Sequence, residues 1–116
     1  MPSIVDYLPA QLTTPVSTIV VKGDNADFPL HILRLDLLHP QISGNKWLKL
    51  ALNLQFIEAK PVSLPIATFG GPFSNHLHAF SYAAKALSLK HIVFVRGLGG
   101  RDSRTLAEIR ANGGQV

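Results

Sequence analysis

The stretch PIATFGGPFSNHLHAFSYAAKALSLKHIVFVR, Pro65–Arg96, decides the fold. Pro65-Ile66-Ala67-Thr68-Phe69 is short, apolar and β-branched at two positions, and Gly70-Gly71-Pro72 ends it, so it is expected to be a strand followed by a tight turn. Ser74 and Asn75 can accept hydrogen bonds from the first free N–H groups of a helix. Beyond them Leu77, Phe80, Ala84 and Leu87 recur at helical spacing, which predicts a helix over His76–Ser88. Ala79, Ala83 and Ala86 would let that helix lie close to a sheet. His91–Arg96 then carries an unbroken apolar run, Ile92-Val93-Phe94-Val95, the pattern of a parallel strand covered on both faces.

The same grammar extends in both directions. C-terminally, Gly97–Arg101 reads as a loop, Asp102 or Ser103 as the cap of a helix to Ala111, and Asn112-Gly113-Gly114 as its stop. Gln115-Val116 opens a further strand, so the chain is expected to be the N-terminal portion of something longer. N-terminally, Ser43-Gly44-Asn45 starts a helix over Lys46–Lys60. Lys46, Lys49, Asn53 and Lys60 form its polar stripe, while Trp47, Leu48, Leu50, Leu52, Leu54 and Ile57 predict a largely buried helix. Further upstream, Pro2, Pro9 and Pro15 break any pattern over residues 1–17. Ser17–Val21 and Leu30–Leu38 read as two strands around a Gly23-Asp24-Asn25 turn, with Pro40 stopping the second. Alternation of helix and strand from residue 46 onward argues for an α/β fold with a parallel sheet. Residues 1–45 form a separate unit of N-terminal strands, and residues 46–116 start an α/β domain. No internal repeat or low-complexity segment interrupts this order.

Composition narrows the function classes. The 116 residues are 47% hydrophobic and only 16% charged, which excludes a disordered chain. The absence of cysteine excludes disulfides and thiolate metal sites. No apolar run approaches the length of a bilayer span, and Met1–Asp6 lacks the pattern of a signal peptide, so a soluble cytoplasmic protein is expected. The net charge of +4 raises the question of nucleic acid. The eleven basic residues are spread from Lys22 to Arg110 without runs or interleaved aromatics, and the only concentration is Arg96, Arg101, Arg104 and Arg110, so a solvated face is the expectation.

Two features point to chemistry. Lys46 and Lys49 occupy the first turn of a helix, where the partial positive charge disfavours a cation by roughly 0.3–1 kcal/mol and acids are preferred. The same field favours a neutral, nucleophilic amine. Lys46 is therefore either a reactive lysine or one member of a solvated stripe. The turn Gly70-Gly71-Pro72-Phe73-Ser74-Asn75-His76 leads from a strand into a helix N-terminus, a natural seat for a carboxylate or phosphate, or else an ordinary capped turn. His76-Leu77-His78 does not read as a metal pair, because residues two apart on a helix point in different directions. His31, His39 and His91 carry no readable signal.

Taken together, these segments resemble a pyridoxal-phosphate family. Ser43-Gly44-Asn45-Lys46-Trp47-Leu48-Lys49-Leu50 is similar to the cofactor-lysine segment of the family that contains 1-aminocyclopropane-1-carboxylate deaminase and D-cysteine desulfhydrase. Leu33–Pro40 resembles the strand preceding that lysine, and Gly70–His76 resembles a Gly-Gly-x-Gln-Ser-Asn-His loop. The resemblance runs from about Leu12 to Val116, less than half the length of family members. It implies the N-terminal portion of a tryptophan-synthase-β-like, three-layer α/β sandwich with a parallel sheet. Residues 1–45 would belong to the larger cofactor domain and 46–116 would begin the smaller one.

The resemblance further implies roles for individual residues. Lys46 would hold pyridoxal 5'-phosphate as a Schiff base and shuttle protons. Asn75 would hydrogen-bond the phenolic oxygen of the cofactor, and Asn45 would neighbour its phosphate. Ser74, with Asn75 and His76, would bind the carboxylate of a small amino-acid substrate near the reacting carbon. No metal is implied, and the full-length protein would be a homodimer. The reaction would be deamination of 1-aminocyclopropane-1-carboxylate or loss of sulfide from D-cysteine, with this portion alone inactive. Phe73 stands where the family has Gln, His78 where it often has Arg, and Asp36 where it has two acids. These departures bear on substrate choice. A non-catalytic α/β module that binds anions at Ser74-Asn75 is the competing expectation.

Overall fold

A computed structural model describes residues 15–42, 44–60, 63–97 and 99–116. The expected N-terminal irregularity up to residue 14, Ser43 as part of a helix cap, and Leu98 of the loop lie outside the described residues. The described residues form a mixed α/β arrangement of two small sheets and three α-helices.

β1 (Val16–Val21) and β2 (Phe28–Leu33) make an antiparallel hairpin in which Thr18 faces His31, and the Thr18 hydroxyl meets His31 Nδ1 at 2.9 Å. Lys22 and Asp27 form an ion pair across the connecting loop. Pro29 is tolerated because β2 is an edge strand. The expected strand to Leu38 ends early. Arg34 makes a last backbone bond to the Pro15 carbonyl at 2.9 Å, turns the chain at φ −86° and ψ 69°, and holds Asp36 with two guanidinium hydrogen bonds, at 2.8 and 2.7 Å. Leu35–Leu37 then turn as a single 3-10 turn. That local ion pair wins over strand propensity where, among the described residues, β2 has no outer neighbour to reward extension.

α1 (Asn45–Glu58) begins one residue after Gly44, whose φ of 67° favours glycine. The cap expected from side chains is not made at Asn45, which is the first helical residue. Trp47, Leu50 and Leu54 are buried at helical spacing against α2 (Asn75–Ala86). The remainder of the apolar set is not covered: Leu48, Leu52 and Phe56 are exposed, and Phe56 instead lies under Lys60 Nζ at 3.9 Å. The expectation of a largely buried helix therefore holds for one face only. Among the described elements, only α2 packs against α1 to a substantial extent.

β3 (Ile66–Gly70) and β4 (His91–Val95) pair in parallel, with Phe69 opposite Phe94. Gln115 adds a bridge on the far side of β4, next to Ile92. The path therefore steps twice in one direction, through α2 and then α3 (Arg104–Ala111). Crossovers of this kind are right-handed, so two steps the same way put both helices on one face. Leu77, Phe80, Val93, Leu106 and Ile109 fill the layer between them, each contributing about 1.5–3 kcal/mol on full burial. Gly114 is required by contact: a Cβ there would lie 2.5 Å from His91 Nε2 and 2.7 Å from Ile109 Cγ2.

Among the described residues, no helix covers the other face of this sheet. Phe69 is 78% exposed and Phe94 63%, which corrects the expectation of a β4 covered on both sides. Among the described residues, no chain reverses direction to bring a helix there. No helix among them is long and apolar enough to cross a membrane.

Candidate functional site

The N-termini of all three helices converge. Ser74 caps α2 by accepting the Leu77 N–H at 3.4 Å, and Ser103 caps α3 by accepting the Leu106 N–H at 3.2 Å. The Ser103 hydroxyl also donates to the Pro72 carbonyl, which ties the Gly70–Ser74 turn to the start of α3. Gly70 permits this closeness, since a Cβ would meet Leu77 Cγ at 3.0 Å and Ser74 Oγ at 3.1 Å. None of the three first turns contains an acid. Each helix end acts as roughly half a positive charge, and no carboxylate cancels it within the first turn.

Between these ends lies a cavity of about 510 Å³, lined by Asn45, Lys46, Asn75, His78, Arg104 and Glu108 together with Pro40 and Gln41. Lys46 is half-buried, and its Nζ donates to Asn45 Oδ1 at 2.8 Å. Asn45, read from sequence as a capping residue, instead holds the amine. Asn75, the first residue of α2, reaches the same space from the other side.

Of the residues expected from sequence, the fold brings Lys46, Asn45 and Asn75 together. Ser74 and His76 are not in the lining. Ser74 Oγ is engaged as a cap. His76 turns toward the sheet, where its Nε2 and the Thr68 hydroxyl share a hydrogen bond of 2.9 Å, and its ring meets Phe80. Burial, then the charges of Lys46 and Lys49, push the His76 pKa below its ordinary value. His76 and His78 therefore serve different surroundings, in keeping with their spacing.

Sequence reasoning missed the far wall. Arg104 and Glu108 stand one turn apart on α3, and Arg104 Nε donates to Glu108 Oε1 at 2.8 Å. His78 Nδ1 lies 2.8 Å from Glu108 Oε2. The i,i+4 spacing of Arg104 and Glu108 was visible but reads as an ordinary surface pair. The cavity thus gathers a primary amine, a guanidinium, an imidazole, one carboxylate and two amides, with cations in excess. That set can hold a small anion and move protons beside it. No protein-family model, curated protein or solved structure matches this chain.

Proposed function

We propose that this chain carries the cofactor-lysine portion of a pyridoxal-phosphate-dependent enzyme of the deaminase and desulfhydrase class, acting on a small amino acid such as 1-aminocyclopropane-1-carboxylate or D-cysteine. The observation that carries the reading is that Lys46 and Asn75, from separate helices, share one cavity with the starts of three helices whose first turns hold no acid. A volume near 510 Å³ is in the range of small-molecule sites. The donor set fits the group. The Lys46 amine would hold it, the Asn75 amide can donate to a ring oxygen, and the helix ends with Arg104 favour a phosphate or carboxylate.

When bound, pyridoxal 5'-phosphate supplies an electron sink for the bond broken at the reacting carbon of the substrate. The protein's own contributions are positional. Asn45 Oδ1 holds Lys46 Nζ at 2.8 Å, where the amine can accept or return a proton. Ser74, as the cap of α2, fixes the turn that presents Asn75, and His76 braces that turn against Thr68. In this reading the hairpin belongs to a larger cofactor domain, residues 46–116 begin a smaller three-layer domain, and the cytoplasmic enzyme is a homodimer.

Incubation with pyridoxal 5'-phosphate followed by borohydride should fix one pyridoxyl group on the Lys46 peptide, and Lys46→Arg should abolish it. Labelling spread over Lys22, Lys49 and Lys85 to the same extent would overturn the proposal. A second reading, an anion-binding module without turnover, draws on the same helix ends. Saturable phosphate binding with no Lys46 adduct would favour it.

A further inference from the structure

The wall of the cavity opposite Lys46 is built from two helical pairs. Asn75 and His78 stand one turn apart on α2, and Arg104 and Glu108 one turn apart on α3, so each pair presents one face to the same space. Both oxygens of Glu108 are committed, Oε1 to Arg104 Nε and Oε2 to His78 Nδ1, each at 2.8 Å. The Arg104 hydrogen bond above all, assisted by His78, holds the Glu108 carboxyl below its usual range. Glu108 is therefore the acceptor and Nδ1 the donor. A neutral ring with hydrogen on Nδ1 has its lone pair on Nε2. Nε2 has no hydrogen-bond partner among the described residues, and His78 lines the cavity.

We propose that His78 is a proton-transfer residue of this cavity and that Glu108 is its positioning residue, holding Nδ1–H so that Nε2 meets the bound ligand. The arrangement is a base oriented by a third group. A ligand proton forms the Nε2–H bond while its electron pair stays on the ligand. The resulting imidazolium keeps its Nδ1–H on the Glu108 carboxylate, and return of the proton restores the neutral ring. No other reactant is needed. Glu108 and Arg104 from α3 and Lys46 from α1 are the charged groups that line the cavity with the ring. On its own helix, His76 is turned to β3. The inference rests on the cavity being the ligand site proposed above and assigns that site a second proton carrier.

Ring correlation spectra of the full ¹⁵N-labelled chain test it. At a pH where the His78 ring is neutral its hydrogen should sit on Nδ1, and Glu108→Gln should move it toward the Nε2–H form. His91, set in the core by Leu89 and Ser81, reports that the fold is intact. Titration with glycine should shift His78 Nε2 saturably. In protein loaded with pyridoxal 5'-phosphate, exchange of glycine α-hydrogens into deuterated water should fall on the order of 10²-fold or more in His78→Gln and recover in part with added imidazole. A parent His78 with hydrogen on Nε2, an Nε2 that ignores glycine, or unchanged exchange would each overturn the proposal. If Lys46 labels but the tautomer is wrong, this inference alone falls. If the tautomer and the glycine response hold without a Lys46 adduct, the cofactor reading alone falls.

Discussion

Replacing His39 separates two contributions to the turn that forms one cavity wall. Its Nδ1 accepts the backbone N–H of Gln41 at 3.1 Å and of Ile42 at 2.9 Å, the bonds an Asn or Asp side chain makes in an Asx turn. Its ring stacks on Trp47, with centroids 5.5 Å apart and planes 16° from parallel. His39→Phe keeps a ring and removes the acceptor. Ile42 is buried, so its stranded N–H costs about 1–3 kcal/mol, whereas Gln41 is exposed and turns to water. His39→Asn keeps an acceptor and loses the stack, a cost of about 0.5–1.5 kcal/mol. At an m-value of about 1–2 kcal/mol/M, the urea midpoint should fall by roughly 1–2 M for Phe and about half that for Asn. Trp47, the only tryptophan and 0% exposed, reports unfolding by its emission.

The pH dependence has a definite sign. Burial pushes the His39 pKa below its ordinary value of 6.5, so between the two values the unfolded chain holds more protons than the folded one. Stability is full above the unfolded value and falls as pH drops through it toward the depressed folded value. His76 shifts the same way, so His39→Asn should reduce the slope without abolishing it. A His39→Phe variant as stable as the parent, or an unchanged slope in His39→Asn, would refute this account.

Two further outcomes follow from the core and the bare sheet face. Ser81 and His91 are both buried; His91 Nδ1 donates to the Leu89 carbonyl at 3.2 Å and Nε2 accepts from the Ser81 hydroxyl at 2.9 Å, so Ser81→Ala should cost about 1–3 kcal/mol in thermal or urea unfolding by stranding Nε2. Phe94→Lys should change the stability of this chain by no more than about 0.5 kcal/mol, because the ring is exposed, while light scattering should show less self-association; a large loss of stability would mean that the face is covered.

The helical and strand segments from residue 45 onward were legible because their signals are local. Ser74 and Ser103 cap the helices that the sequence predicts, and the Gly-Gly turn ends β3. Lys46 and Asn75 stood out because each breaks or satisfies a rule within its own helix turn. Other features depended on neighbours that one segment cannot reveal. β2 stops at Leu33 because Arg34 finds Asp36 and, among the described residues, no outer strand competes. Asn45 serves Lys46 rather than the helix end, which Gly44 opens. Trp47 Nε1 is buried with no hydrogen-bond partner among the described residues, a cost no sequence pattern announces.

By itself, then, the sequence determined which segments are strand and helix from residue 45 onward, which apolar faces exist, and which two helix starts carry unusual polar residues. Periodicity, caps and turns act over a few residues, so they can be read along the chain. The tertiary structure decided that three helix N-termini meet at one cavity, that His78 is held by Glu108 while His76 turns away, and that among the described residues one sheet face is left open. Two crossovers made in the same direction bring α2 and α3 side by side and align their starts, and the packing of Trp47, Leu50 and Leu54 on α2 adds the start of α1. That direction is set by how the strands pair, and no local signal encodes it.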